Sequence, residues 1–239
     1  MPRYGAYDKN DNHTYAIGVF PSMELLAARP ESVRCLLVSP AGYQNAGVNK
    51  LIEACRGMNV PVEEAPRAVE RISGKENSWV VTVLNKYACS LDPAANHVVL
   101  HNPSDVGNAG TILRSALGFG FKNVAIIRPG VDPFDPRVIR ASMGAAFRAV
   151  PVSMTREAAV ASCRANGVRL LATALRADAH DLREETLSQT AVIIGSEGQG
   201  VCRELLDAAD GTVIIPMQSH CESLNAAVAA TIVMWQMRR

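Results

Sequence analysis

From residue 97 onward the chain carries six strand candidates, each built on a short apolar core, at 97–100, 123–127, 146–150, 169–173, 191–194 and 212–215, with stretches of helical spacing between most of them and a last one at 223–236. Runs of four or five apolar residues suit strands buried on both faces, and strands that alternate with helices pair in parallel. This pattern predicts an α/β fold: a mainly parallel sheet with helices on both faces. The 239 residues leave room for a second domain. Residues 14–87 supply one, with strands expected at 15–20, 33–38, 60–62 and 79–84 and helices at 22–28 and 48–55. The polar, proline-containing stretch 90–96 (SLDPAAN) reads as the linker, so the expected domains are a small α/β unit over 1–92 and the parallel-sheet domain over 93–239.

Three segments of the second domain follow the ends of apolar runs, at the edge where open α/β sheets bind ligands. The first, 101–114 (HNPSDVGNAGTILR), holds Asn108, a candidate helix cap, with Gly110 and Arg114 beyond it. The second, 194–201 (IGSEGQGV), offers Gly195, Ser196, Glu197, Gly198 and Gly200. Its glycines follow a G-x-x-G-x-G order, which matches neither the dinucleotide fingerprint nor a P-loop, so a nucleotide-phosphate site is disfavoured. The third, 215–230 (IPMQSHCESLNAAVAA), starts at Ile215, Pro216 and Met217 and opens a small-residue helix at Ser223, Leu224 and Asn225. Ser223 reads as its N-cap, and Asn225, inside the first turn of an apolar helix, calls for a partner. Each segment also has a plain structural reading as a capped helix or an exposed loop.

Bulk charge decides little. The formal net charge is +1, and no basic tail advertises nucleic acid. A local patch of arginines still meets phosphates, and thirteen of the fourteen cations after residue 92 are Arg. In the first domain Arg67, Arg71, Lys75 and the nearby Lys86 form a charged surface that suits either solvent or an anionic partner. Six cysteines without a Cys-x-x-Cys pair signal no metal site and are expected as thiols. The N-terminus lacks the apolar core of a signal peptide, and the longest apolar stretch, 226–235, is too short for a bilayer, so the expected compartment is the cytoplasm and no membrane partner is expected.

Taken together, the three segments resemble the SpoU-type (TrmH-like) RNA 2′-O-methyltransferases of the SPOUT class. Asn108, Gly110 and Arg114 match the first motif; Gly195, Glu197, Gly200 and Val201 match the second; Ile215 to Met217 with Ser223 to Asn225 match the third. Residues 140–145 (RASMGA) resemble the segment before the substrate-facing strand, and 14–87 resemble the ribosomal-protein-like domain that many members carry. Val106 stands where the family often has Pro, and Ala226 where it often has Val.

The resemblance implies a homodimer, a C-terminal trefoil knot and S-adenosylmethionine as cofactor. The cofactor would lie against Thr173, Ala174, Gly195, Ser196, Gly198, Gly200, Ile215, Pro216, Met217, Ser223, Leu224 and Asn225. It implies methylation of a ribose 2′-oxygen in RNA, with ribosomal RNA ahead of transfer RNA because of the appended domain; a transfer-RNA enzyme and a non-catalytic ribosome assembly factor are the alternatives. The catalytic set would be Arg114, Asn108, Glu197, Ser223 and Asn225, with no metal, and RNA would meet Arg67, Arg71, Lys75, Arg114 and Arg140. A guanidinium keeps its proton in proteins, so Arg114 is expected to bind phosphate and favour an alkoxide rather than act as a base.

Overall fold

The computed structural model describes residues 4–74, 78–149, 151–196, 198–218, 220 and 223–238. Its contacts divide the chain into two compact units, Met1–Ala88 with Phe134–Arg148, and Cys89–Pro133 with Ala149–Arg239. The first break falls close to the expected linker. The second differs from expectation: 134–148, read as part of the second domain, belongs by its contacts to the first unit.

The first unit is built on β1 (His13–Ile17), α1 (Val19–Ala28), β2 (Val33–Val38), α2 (Ala46–Gly57), β3 (Val62–Glu64), α3 (Pro66–Ser73) and β4 (Val80–Asn85). The strand order is β1-β4-β2-β3, with β4 antiparallel to both its neighbours and β2 parallel to β3. Successive strand residues point to opposite faces, and both faces are covered here. Leu36, Val38 and Val80 meet Leu26 of α1 and Val48, Leu51, Ile52 and Cys55 of α2, whereas Cys35, Leu37, Val81 and Val83 meet Val69 of α3. Buried side chains of this size each stabilise the fold by about 1.5–3 kcal/mol. The charged stretch after Pro66 thus folds as a helix on one buried valine, with Pro66 at its first turn and Gly74 ending it in the left-handed region (φ 61°). The returning segment closes on β1, where Thr14 Oγ1 donates to the carbonyl of Phe134.

The second unit holds β5 (His97–His101), α4 (Val106–Gly118), β6 (Val124–Ile127), β7 (Pro151–Met154), α6 (Arg156–Ala165), β8 (Arg169–Thr173), β9 (His180–Asp181), β10 (Thr190–Ile194), α7 (Arg203–Ala208), β11 (Gly211–Ile214) and α8 (Ala226–Met237); α5 (Pro136–Ala141) lies in the segment that joins the first unit. The seven strands run β7-β6-β5-β10-β8-β11-β9, every pair parallel. Val99, Ala125, Ile127, Ala172 and Ile193 pack on Ala159 and Cys163 of α6 and Leu205 of α7. The alternate residues Val98, Leu100, Ile126, Val192 and Ile194 are equally buried and face the other side, where α8 packs on β10 and on α4.

Two expected elements moved. The run at 146–150 is not a strand: Ala145–Phe147 is a 3₁₀ turn that follows Gly144 at φ 83°, and the strand begins at Pro151. The apolar run at 15–20 is split by Gly18 at φ 96°, so its last residues start α1 instead of continuing β1.

Candidate functional site

At the C-terminal ends of β8, β10 and β11 the second unit opens a cleft of about 530 Å³. Parallel strands all point their carbonyl ends this way, so the loops that leave them gather on one edge. Thr173 and Ala174 leave β8, Gly195, Ser196 and Gly200 leave β10, and Ile215 and Met217 leave β11; all line the cleft, as do Ser223 and Leu224 before α8. Gly198 and Pro216 sit in the same loops without lining it, and Glu197 lies outside the described residues.

The loop after β10 folds tightly on itself. Ser196 and Gly200 form a bridge, with the Gly200 N–H donating to the Ser196 carbonyl at 2.9 Å, and Gly200 adopts φ 64°. A Cβ on Gly195 would stand 2.3 Å from the carbonyl carbon of Gly200, so glycine is required there by close approach of two backbones. One bond braces this loop and another the strand that leads into it. The Gly200 carbonyl lies 3.1 Å from Nδ1 of the buried His101 at the end of β5, and Thr173 Oγ1 donates to the Ile193 carbonyl at 2.9 Å.

Helices α4 and α8 meet beside the cleft through their first turns. The cap of α4 is Asp105, whose carboxylate accepts from the Asn108 N–H at 2.6 Å, so Asn108 stands in the first turn and is not the cap as expected. The cap of α8 is Asn225, accepting from the N–H groups of Ala227 and Val228, and not Ser223. Capping leaves the Asn225 amide free to donate to Asn108 Oδ1 at 3.1 Å, which supplies the partner that the sequence demanded. Asn108 and Asn225, 117 residues apart, are thereby joined. Arg114 is exposed on α4 and does not line the cleft.

Of the remaining cations named from sequence, Arg67 and Arg71 are exposed on α3 and Arg140 on α5, all in the first unit, and Lys75 lies outside the described residues. Arg71 Nη1 reaches the Tyr4 carbonyl at 3.5 Å. Sequence reasoning missed Leu175 and Arg176, which follow β8 into the cleft wall, and Gln199 and Leu206. The rule applied to the other strand ends would have found the first two. Arg176 is the one charged side chain among the described residues of the lining. Its guanidinium forks onto Asp178, Nε to Oδ1 at 2.8 Å and Nη2 to Oδ2 at 2.9 Å. That pairing pushes the Arg176 pKa up and holds Asp178 below the usual carboxylate range. No group of three metal-ligating side chains occurs among the described residues. None of the described helices is long and apolar enough to cross a membrane.

The family model described as "SpoU rRNA Methylase family" matches residues 95–235, more than half of the chain. The chain belongs to the SpoU methylase family. Among curated SpoU-like relatives, the 23S rRNA (guanosine(2553)-2'-O)-methyltransferase RlmP of Bacillus subtilis is 33% identical over 56% of this chain and 54% of its own. A putative TrmH family tRNA/rRNA methyltransferase of Staphylococcus aureus is 26% identical over 83% and 85%. The chain thus spans about half the length of its first curated relatives, at 52% and 54%, and more of others. Among solved structures, the SpoU methyltransferase AviRb of Streptomyces viridochromogenes in complex with the cofactor AdoMet superposes with a TM-score of 0.81, at 26% identity, over 95% of this chain and 90% of that one.

Proposed function

We propose that this SpoU family member transfers a methyl group from S-adenosylmethionine to a ribose 2′-hydroxyl in RNA, ribosomal RNA ahead of transfer RNA. One observation carries the reading: the loops that leave β8, β10 and β11 and the turn before α8 converge on a single cleft walled by main chain, and the segment 101–114 is joined beside it by the Asn108–Asn225 bond. The residues fit the cofactor. The volume is that of a small-molecule site. The walls, main chain, aliphatic side chains and the hydroxyls of Ser196 and Ser223, suit a flat base and a ribose. Thr173, Ala174, Gly195, Ser196, Gly200, Ile215, Met217, Ser223 and Leu224 would hold it. When bound, S-adenosylmethionine supplies a methyl made electrophilic by its sulfonium sulfur.

The chain's own residues then align the hydroxyl and favour loss of its proton. Arg114, exposed and outside the lining, works on the RNA: it pairs with a phosphate next to the reacting ribose and stabilises the negative charge that develops on the oxygen. Asn108 and Asn225 fix the relation of α4 to α8 at the cleft rim, and Ser223 and Glu197 complete the polar contacts.

Further parts of the reading rest on supports of their own. A homodimer through α8 is supported by Val228, Ile232 and Trp235, which recur at helical spacing with 48%, 36% and 60% exposure on a helix that is apolar all round. A knot is supported by the strand order, with β10 between β5 and β8, and by the close approach of the Gly195 and Gly200 backbones. The first unit reads RNA through Arg67, Arg71, Lys75 and Arg140, and the protein works in the cytoplasm. The ribosomal preference draws on the first unit and on the 23S rRNA activity of the B. subtilis relative.

The test is transfer of tritiated methyl to bulk ribosomal and transfer RNA, followed by mapping of 2′-O-methyl groups in RNA from cells with and without the protein. Loss of one ribosomal 2′-O-methyl group is expected. A protein that binds the cofactor and methylates neither RNA would overturn the reading in favour of an assembly factor.

A further inference from the structure

The cofactor proposed above has a polar, zwitterionic amino-acid end, whereas the described residues that line the cleft offer aliphatic side chains, main chain, a few neutral polar groups and one charge. A carboxylate moved from water into such a place loses hydration that neutral donors restore only in part, and a guanidinium restores it with charge-assisted hydrogen bonds. Arg176 is positioned for this. It follows β8 directly by way of Thr173 and Ala174, both in the lining, and its Nε and Nη2 are fixed on Asp178. The fork leaves Nη1 outside the bonds to Asp178, on a guanidinium whose rotation is already restricted. An exposed pair of this kind adds little to folding, so its use is better sought in the cleft it borders. A guanidinium also repels a sulfonium, so it favours the amino-acid end over the sulfur at its own position.

We infer that Arg176, held by Asp178, receives the carboxylate of the cofactor's amino-acid end and so sets which way round the cofactor lies in the cleft. The inference rests on the proposed use of S-adenosylmethionine, and the two are separable. Calorimetry on the full chain would compare S-adenosylmethionine, S-adenosylhomocysteine, which keeps the carboxylate, and 5′-methylthioadenosine, which lacks the amino-acid end. R176Q is expected to weaken the first two tenfold or more and to leave the third within twofold of the parent. R176K, which keeps the charge and loses the fork, is expected to fall between. Because the side chain is exposed, R176Q should melt with the parent protein.

Unchanged affinity for S-adenosylmethionine in R176Q would overturn the inference and leave the proposed function standing. So would equal weakening of all three ligands, which marks a wall residue, or a loss confined to RNA affinity, which marks a phosphate contact. A parent protein that binds none of the three would sink both.

Discussion

The two units present polar chemistry in opposite ways. In the second, the cleft is made of main chain held in place by glycine contacts and helix caps, with a single charged side chain in the described lining. In the first, Arg67, Arg71 and Arg140 stand on helix surfaces in solvent. A small ligand can be held by fixed backbone donors and apolar walls, whereas a long polyanion is met by many exposed cations. Ligand binding in the two units should therefore fail independently, and fail under different conditions.

The hardest break is Gly195→Ala. Its new carbon would overlap the backbone of Gly200, so cofactor affinity should fall by a hundredfold or more in calorimetry while RNA affinity by filter binding persists. If the variant keeps parental cofactor affinity, the main-chain cradle is wrong. Next comes Arg114→Ala, expected to cut single-turnover methylation about a hundredfold, the scale of one lost electrostatic stabiliser, with cofactor affinity within threefold. Activity near the parent's would remove Arg114 from the chemistry. A double reversal, Arg67→Glu with Arg71→Glu, should weaken RNA binding about tenfold at low salt and flatten its salt dependence, cofactor affinity being unmoved.

Asn225→Ala removes the α8 cap and the bond to Asn108 together, and should cost about 1 kcal/mol in denaturant unfolding. Asn225→Asp keeps the cap and loses the donated bond, so it separates stability from turnover.

The smallest effect compares one histidine from each unit. Burial holds the pKa of both His13 and His97 below the usual 6.5, partly opposed by Asp11 and Asp92 respectively. His13 Nε2 lies 2.9 Å from the Tyr15 hydroxyl. His97 Nε2 has no partner among the described residues and borders a cavity of about 130 Å³. Both groups are neutral when folded, so the unfolded chain takes up protons first as pH falls. Stability should be full above about pH 6.5 and decline as pH drops through the folded values. His97→Leu should flatten that decline in thermal melts from pH 8 to pH 5; an unchanged acid limb would assign the decline elsewhere.

What the sequence revealed, and what it hid, follows the range of the forces. Runs such as 191–194 read correctly because β-branched and aliphatic residues buried on both faces leave a continuous apolar signature. The 146–150 run misled because Ala145, Ala146 and Phe147 are just as buried in a turn as in a strand. Only the left-handed Gly144, with a would-be Cβ 2.7 Å from Cβ of Glu24, separates the two, and that contact spans 120 positions of sequence. The caps slipped by two or three residues because Asp105 and Asn108, like Ser223 and Asn225, are all competent cappers. Much of the cleft lining was legible from the second and third motifs, although Gly198 and Pro216 stay out of it. Leu175 and Arg176 carry no motif, and only the rule that parallel strands bind ligands at their C-terminal ends, applied to the strand at 169–173, points to them.

The path of the chain around α5 has a practical outcome. Phe134–Arg148 leaves the parallel sheet after β6, completes the first unit against β1, and returns to begin β7. The amino-terminal module is therefore discontinuous: a fragment ending at Ala88 would lack one wall of its own fold, and a fragment starting at Cys89 would carry that wall with nothing to cover it. Grafting this module onto another methylase, or swapping it for a relative's, has to transplant both stretches at once.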